Sequence, residues 1–231
     1  MRKKIRPLIT LLLIVFYFLL ISACTVVKIG DEKSGNEGEY STWTKTGTGF
    51  HAADYVEDIW DDRLLPAYKE HATDYMTVIS ALQENREAAI GQYGLTRKTG
   101  EPFYIFKVQG IAVVDNFDDS SRNGVIYVDS MPVDGIVDAT IQVGPVIRGT
   151  VIRDSVEFIR FTDVGNQLQF ADLANELNNR MKKDYINPLD LNQIKGHTIS
   201  FLGAFRLEKE QSLDDVIITP IKVTLMDSLD G

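Results

Sequence analysis

Residues 103–114 read FYIFKVQGIAVV, a run rich in aromatic and β-branched residues with the two-residue period of a β-strand. The loop 118–124, DDSSRNG, carries turn-forming residues, and Val125–Asp129 follows as a second strand. We therefore predict a hairpin. A third strand, one long helix and two further strands come after it: Val137–Val143, Thr162–Lys183, Thr198–Arg206 and Val216–Leu225.

This element order predicts the fold class. Five strands with a helix between the third and fourth match the order of the five-stranded Greek-key barrel called the OB-fold. Gly110 and Gly203 lie in mid-strand, where a barrel coils sharply. Asp163 is expected to cap the long helix. One face of the last strand is expected to carry Ile217, Thr219, Ile221, Val223 and Leu225.

Residues 50–93 have a helical period instead of a strand period. Apolar side chains recur on one face around Ile59 and again around Val78. Pro66 should restart the helix, because a proline ring fits the first turn better than the interior, and Gly94 should end the helical region. We expect an α+β fold in which an N-terminal helical region packs on an OB-like barrel.

The first residues have the layout of a secretory signal. Arg2, Lys3, Lys4 and Arg6 precede the apolar run Leu8–Leu20, and the run ends in LISAC, residues 20–24, which resembles the bacterial lipobox. We expect cleavage before Cys24 and lipid on that cysteine, the only one in the chain. The alternative is an uncleaved membrane-spanning anchor over Leu8–Val27, which is near the minimum spanning length.

This interpretation divides the chain into four parts. They are a signal peptide (1–23), a lipid-anchored tether (24–49), a helical region (50–95) and an OB-like barrel domain (96–231). Within the tether, Val26–Ile29 alternatively forms an edge strand. Removing residues 1–23 removes four basic residues and no acidic ones, which changes the formal net charge from −9 to −13. Nucleic acid is therefore not expected as a partner, because it requires a basic surface.

Arg148, Arg153 and Asp154 form the first candidate binding cluster. They lie within or beside the stretch GPVIRGT, residues 144–150, where glycines relax the backbone. An arginine offers a planar set of donors suited to carboxylates, so an anion site is one interpretation. The other, which we favour, is structural: an arginine pairs with Asp154 and binds backbone carbonyls at a loop–helix junction.

A second candidate set could bind a sugar. Asn166 and Gln167 offer amide donors and acceptors for hydroxyl groups, and Trp60, Tyr55 and Tyr104 offer rings for stacking. The structural alternative is that the amides satisfy the first turn of the following helix, whose N–H groups lack helical partners. Trp60 likewise fits the apolar stripe of its helix, which favours a core position.

Catalytic and metal-binding patterns have little support. His51, His71 and His197 lack metal-ligand spacing, and Glu70, His71 and Asp74 fit a solvated helix face. The loop 115–119 is acidic but lacks the EF-hand ligand pattern for calcium. No nucleophile elbow, phosphate loop or dinucleotide fingerprint is present. We therefore expect no catalytic residue, metal or cofactor.

Several short elements resemble one known family. The matched elements are Gly144-Pro145 with Gly149-Thr150, Arg153-Asp154, Asn166-Gln167, Gly203-Ala204-Phe205 and Thr219-Pro220, together with Phe50, Tyr55 and Trp60. In these the chain resembles the DUF2291 family, predicted periplasmic lipoproteins of unknown function. The resemblance implies a setting, because similar proteins are often encoded beside ribose-type sugar ABC transporters, and it implies no catalytic residue.

We therefore expect a non-enzymatic, lipid-anchored periplasmic module that assists carbohydrate uptake. Its partners would be membrane lipid through Cys24 and a sugar-binding protein or ABC transporter component. Two alternatives stay open: an envelope structural or assembly lipoprotein, and a hydrolase with an unrecognised site.

Overall fold

The computed structural model describes residues 49–95 and 103–226, and in this part five strands close into a ring. The predictions for the signal segment, Cys24 and the tether up to residue 48 lie outside the described residues. The strands of the described part are β1 (Thr73–Asp74), β2 (Gly94–Leu95), β3 (Phe103–Asp118), β4 (Val125–Ser130), β5 (Ala139–Gln142), β6 (Thr198–Glu208) and β7 (Ile217–Leu225).

The ring runs β3-β4-β5-β7-β6 and returns to β3. The β5–β7 pair is parallel, whereas the other four pairs of the ring are antiparallel. The short strands β1 and β2 add to β3 outside the ring. The predicted order of five strands along the chain and the α+β class are confirmed, with the long helix between the third and fourth of these strands.

Gly110 and Gly203 both allow a residue of the neighbouring strand to lie close to their backbone. Gly110 pairs with Phe201 across β3 and β6, and a Cβ on Gly110 would lie 2.7 Å from that ring. A Cβ on Gly203 would lie 2.7 Å from the carbonyl oxygen of Thr219, next to an irregularity in the β6–β7 register. Both glycines lie in mid-strand, where a neighbouring residue leaves no room for a Cβ.

The predicted single face of β7 is wrong at its ends. Ile217 and Leu225 are 46% and 41% exposed, while Ile218 is fully buried. The register shifts between Leu202 and Gly203, so that Ile221 is an extra residue on β7. A bulge of this kind breaks the two-residue alternation, because an extra residue shifts the following side chains to the opposite face.

The N-terminal region is helical, as predicted. Its helices are α1 (Ala52–Ile59), α2 (Leu65–His71), α3 (Tyr75–Glu84) and α4 (Arg86–Tyr93), and a π-helical turn, Trp60–Leu64, joins α1 to α2. Pro66 lies in the first turn of α2, as expected. The helix nevertheless continues through it, because the π turn lets the Leu65 N–H bind the Trp60 carbonyl and avoids the proline clash of a regular α-helix.

The long helix begins later than the sequence suggests. The second half contains α5 (Val151–Asp154) and α6 (Gln167–Met181), with a 3₁₀ turn at Phe161–Asp163, a π-helical turn at Lys182–Ile186 and a second 3₁₀ turn at Leu213–Asp215. The prediction that Asp163 caps this helix is wrong. Asp163 instead pairs with Arg160 at 2.9 Å, and the cap is Asn166, whose side chain accepts the Gln169 N–H at 2.9 Å.

Helices and ring share one apolar core. Tyr75 of α3 packs edge-on against Phe201 and Phe205 of β6, and its hydroxyl donates to the Asp138 carbonyl at 2.9 Å. Tyr68 of α2 is fully buried and accepts a hydrogen bond from Ser155 at 2.6 Å. Burial raises the pKa of Tyr68 above its ordinary value.

Within residues 49–95 and 103–226, we find no helix that is both long enough and apolar enough to cross a membrane.

Candidate functional site

A cleft of about 670 Å³ lies where the stretch 145–147, helix α6 and the start of α1 meet. We call it the amide cleft because three asparagines line it. Its lining residues are His51, Ala52, Ala53, Pro145, Val146, Ile147, Asp172, Asn175, Glu176, Asn178, Asn179 and Lys182.

The loop wall of the amide cleft is held by two sets of hydrogen bonds. The Gly144 N–H donates to the Gly124 carbonyl at 2.7 Å, and the Val146 N–H donates to the Arg122 carbonyl at 3.0 Å. Gln142, which is buried, accepts the N–H of Arg148 at 2.8 Å through its side chain. The loop is therefore fixed to the β3–β4 turn on one side and to the end of β5 on the other.

Helix α6 supplies the polar wall. Asn178 is buried and donates through Nδ2 to the Gly149 carbonyl at 3.1 Å. Its Oδ1 is also buried and has no hydrogen-bond partner among the described residues. Lys182 donates to the Pro145 carbonyl at 2.8 Å, which joins helix and loop across the cleft. A buried acceptor without a donor costs about 1–3 kcal/mol, so a ligand donor that reached Asn178 Oδ1 would relieve that cost.

The remaining wall is the start of α1. His51 precedes the helix and makes no side-chain capping bond. The first N–H groups of a helix lack partners within it, and Ala52 and Ala53, in the first turn of α1, line the cleft. With the carboxylates of Asp172 and Glu176 and the exposed amides of Asn175 and Asn179, the cleft combines donors and acceptors.

Arg153 and Asp154 form the structural pair that the sequence favoured. Arg153 is buried and donates to Asp154 at 2.8 Å and to the Phe170 carbonyl at 2.8 Å, with its guanidinium carbon 3.7 Å from the centroid of the Phe170 ring. Thr150 donates to the second Asp154 oxygen at 2.5 Å. Arg148 does not join them: its side chain is exposed and forms no ion pair within the described part of the chain. The pair therefore ties α5 to α6.

Asn166 and Gln167 lie at the start of α6 and do not line the amide cleft. Asn166 caps the helix, which is the structural alternative, and Gln167 is exposed. Trp60 is fully buried and its Nε1 has no hydrogen-bond partner among the described residues, so the structure puts its ring in the core and not at a sugar-accessible surface. Tyr55 is also buried, and Tyr104 is partly buried.

Replacing the capping side chain gives the first testable prediction. Asn166→Ala should lower the free energy of unfolding by about 1 kcal/mol, because the Gln169 N–H loses its acceptor. Asp163→Ala is the matched control, and it should change the free energy by less than about 0.5 kcal/mol, because the Asp163 side chain bonds to an exposed arginine and to the exposed Thr162 hydroxyl. Urea unfolding measures the free energy of both variants. A larger loss of stability from Asp163→Ala than from Asn166→Ala would support Asp163 as the helix cap, as the sequence predicted.

The acidic and histidine positions form no metal site in the described ranges. His51, His71 and His197 are exposed, and His71 lies 3.9 Å from Glu70. In the loop considered for calcium, hydrogen bonds from Ser120 lower the pKa of Asp118 below its ordinary value. This carboxylate therefore serves the turn that follows β3.

Sequence reasoning missed the asparagines of the amide cleft. Asp172, Asn175, Asn179 and Lys182 recur at three- and four-residue spacing, which was a detectable signal of one polar helix face. A solvated helix surface has the same pattern. What distinguishes this face is the loop packed opposite it, which becomes apparent only in the folded chain.

Comparisons with known proteins agree with this architecture. The profile of a family described as predicted periplasmic lipoprotein (DUF2291) matches residues 14–224. The crystal structure of an OB-fold protein from Thermotoga maritima is similar, with a TM-score of 0.65 and 19% sequence identity. The similarity covers 77% of this chain and 99% of that one, and at this identity it supports the fold alone. No curated protein matches the chain.

Proposed function

Because the chain belongs to the DUF2291 family of predicted periplasmic lipoproteins, we propose that it is a non-enzymatic binding module that assists carbohydrate uptake. The family description places it in the cell envelope as a lipid-anchored protein. We assign the lipid to Cys24 and the ligand site to the amide cleft. In this proposal the ring is an OB-type barrel that presents the cleft to the periplasm.

The observation that carries this proposal is the composition of the amide cleft. A sugar hydroxyl both donates and accepts, so a sugar site needs both kinds of partner close together. Asn175 offers a carbonyl and an amino group, and Asn179 offers a carbonyl while its amino group donates to Glu176 at 3.5 Å. Asn178 adds a buried acceptor that no described residue satisfies. The cleft volume of about 670 Å³ falls within the usual range of ligand pockets.

The genomic setting that the family resemblance implies supports our choice of ligand class. Similar proteins are often encoded beside ribose-type sugar transporters, so a pentose, a hexose or the sugar-loaded binding subunit is the expected occupant. The net charge of −13 expected for the mature chain favours a neutral ligand over an anionic one.

Thermal and urea unfolding with ribose, other pentoses, hexoses and the cognate sugar-binding subunit tests the proposal. A ligand present at 100 times its Kd should stabilise the native state by about 2.7 kcal/mol. The double variant Asn175→Ala/Asn179→Ala should abolish that gain without changing the stability of the free protein, since both side chains are exposed. Gln193→Ala, an exposed amide outside the cleft, is the control. Absence of any response to all of these ligands would refute the proposal.

A second function, envelope assembly, is favoured by one loop. Met131, Val133, Ile136 and Val137 are 37%, 47%, 64% and 43% exposed on the segment 131–137, which we call the apolar loop. Asp129 accepts the N–H groups of Asp134 and Gly135, which fixes the loop and lowers the entropy cost of docking.

The partner in this second proposal is an envelope protein with an apolar socket and a basic rim, because Asp134 lies among the exposed apolar residues. Photocrosslinking from position 136 in intact cells separates the two functions. Position 217, an isoleucine that is also exposed (46% against 64% at position 136), is the control. Capture of an assembly protein from position 136 alone would favour this second function. Capture of a transporter component would favour the first.

A further inference from the structure

A second cleft, of about 650 Å³, opens over the ring between the first turn of α3 and strands β3, β6 and β7. We call it the lysine cleft. It shares no residue with the amide cleft. Its lining residues are Lys69, Asp74, Tyr75, Met76, Gln109, Gly110, Ile111, Ser130, Met131, Ser200, Phe201, Leu202, Lys222 and Thr224.

The apolar part of the lysine cleft consists of aromatic rings and two partly exposed aliphatic side chains. Gly110 has no side chain, and the Phe201 ring occupies the space beside it, so that a Cβ on Gly110 would lie 2.7 Å from the ring. Tyr75 packs edge-on to Phe201, with ring centroids 6.3 Å apart. Ile111 and Met131 also line the cleft, and they are 39% and 37% exposed. Apolar side chains exposed together at a concave surface commonly mark a binding site.

Ser130 adds an unsatisfied polar group to the same cleft. The residue is 5% exposed, and its hydroxyl has no hydrogen-bond partner among the described residues. Its backbone N–H, by contrast, donates to Asp138 at 2.8 Å. A buried hydroxyl without a partner is costly in the folded state, so a ligand acceptor that reached Ser130 would relieve that cost.

The charge of the lysine cleft opposes that of the whole protein. Lys69 and Lys222 line it, and neither forms an ion pair with any residue that the structure describes. Lys222 Nζ lies 5.8 Å from the centroid of the Tyr185 ring, so an anion in the cleft would compete with a cation–π contact. Asp74 is the single carboxylate among the described lining residues, and it already accepts from the N–H and the hydroxyl of Thr77, both at 2.9 Å. A chain with a net charge of −13 after processing thus carries a locally cationic, aromatic cleft.

We propose that the lysine cleft binds a small amphipathic anion, with an apolar or aromatic body against Phe201, Ile111 and Met131 and a carboxylate or phosphate on Lys69 and Lys222. The site is independent of the carbohydrate proposal. The anionic group has two possible sources, a free organic acid and a lipid headgroup, and both present the same chemistry to the two lysines.

Isothermal titration with the mature lipoprotein in phosphatidylcholine nanodiscs tests the proposal, with empty nanodiscs as the blank. The probe is 3-phenylpropionate, and its neutral, cationic and truncated analogues are 3-phenylpropanol, 3-phenylpropylamine and propionate. We expect saturable binding of 3-phenylpropionate, at least tenfold weaker binding of each analogue, and weakening by added salt. Equal binding of the alcohol and the carboxylate would overturn the proposal.

Variants locate the bound anion. Lys69→Met/Lys222→Met should weaken 3-phenylpropionate binding at least tenfold, and Ser130→Ala should weaken it severalfold while the protein remains folded. Lys195→Met, at an exposed lysine outside this cleft, should bind like the wild type. Unchanged binding by the double lysine variant would overturn the assignment. Asn175→Ala/Asn179→Ala should also bind normally, so failure here is separable from failure of the carbohydrate proposal.

The source of the anion is decided by lipid composition. Replacing a fifth of the phosphatidylcholine with phosphatidylglycerol should weaken 3-phenylpropionate binding competitively if a lipid headgroup occupies the lysine cleft. Unchanged binding in those nanodiscs would support a free organic acid.

Discussion

Gly144→Ala should destabilise the protein by more than about 4 kcal/mol, the range reached only when a substitution meets a fixed structure. A Cβ at this position would lie 2.0 Å from the Gly124 nitrogen, which belongs to the backbone of the β3–β4 turn. The two segments cannot separate without cost, because the Gly144 N–H donates to the Gly124 carbonyl at 2.7 Å. Urea unfolding or the yield of folded protein measures the loss.

Gly91→Ala is the matched control for that substitution. Gly91 lies inside α4, and a Cβ there would have no heavy atom within 4 Å. Alanine should therefore stabilise the protein by about 0.5–1 kcal/mol, the usual gain over glycine within a helix. If the free energy of unfolding of Gly144→Ala were within about 1 kcal/mol of the wild-type value, the close contact between the loop and the turn would be contradicted.

Arg153→Met should cost about 3 kcal/mol or more in the free energy of unfolding. The substitution removes the positive charge and the Arg153 donors to Asp154 and to the Phe170 carbonyl. The Asp154 carboxylate then keeps the Thr150 hydrogen bond but loses its counter-charge in a site where both partners are largely buried. Breaking one side of a buried pair costs about 3–5 kcal/mol, because the remaining charge loses its compensation.

Arg148→Met is the control for Arg153→Met, because it removes the same kind of charge from the same stretch of sequence. Its side chain is exposed and unpaired among the described residues, so the expected change is below about 0.5 kcal/mol. Denaturant titration of both variants gives the comparison. An equal or larger loss from Arg148→Met would contradict the structural role that we assign to Arg153.

The fold was predictable where the signal is local. The two-residue period of 103–114, the helical period of 50–93 and the mid-strand glycines all describe short-range geometry, and the structure confirms them. The buried face of β7 could not be predicted residue by residue, because the bulge near Ile221 depends on how β6 pairs with β7. The helix start was misplaced because Asp163 and Asn166 are both good capping residues, and in the folded chain Asp163 pairs with Arg160 while Asn166 accepts the Gln169 N–H.

The candidate sites were predictable only in part. The Arg153–Asp154 pair is adjacent in sequence, and its structural role is the one that the residue types favoured. The amide cleft depends on Pro145 and Lys182, which are 37 positions apart and meet only after folding. The lysine cleft combines the helical region with the ring, so Lys69 and Lys222 carry no common pattern along the chain.

The parallel seam between β5 and β7 also affects the dynamics of the protein. Thr140 and Ile141 pair there with Ile217 and Ile218, a far shorter ladder than the one that joins β3 to β6. Gln142 bridges the seam by donating to Thr219 at 2.8 Å, and the same side chain accepts the Arg148 N–H. Among the strand pairs of the ring, amide hydrogen exchange should therefore be fastest at the β5–β7 pair. A ligand that immobilises residues 145–147 at the amide cleft should slow this exchange.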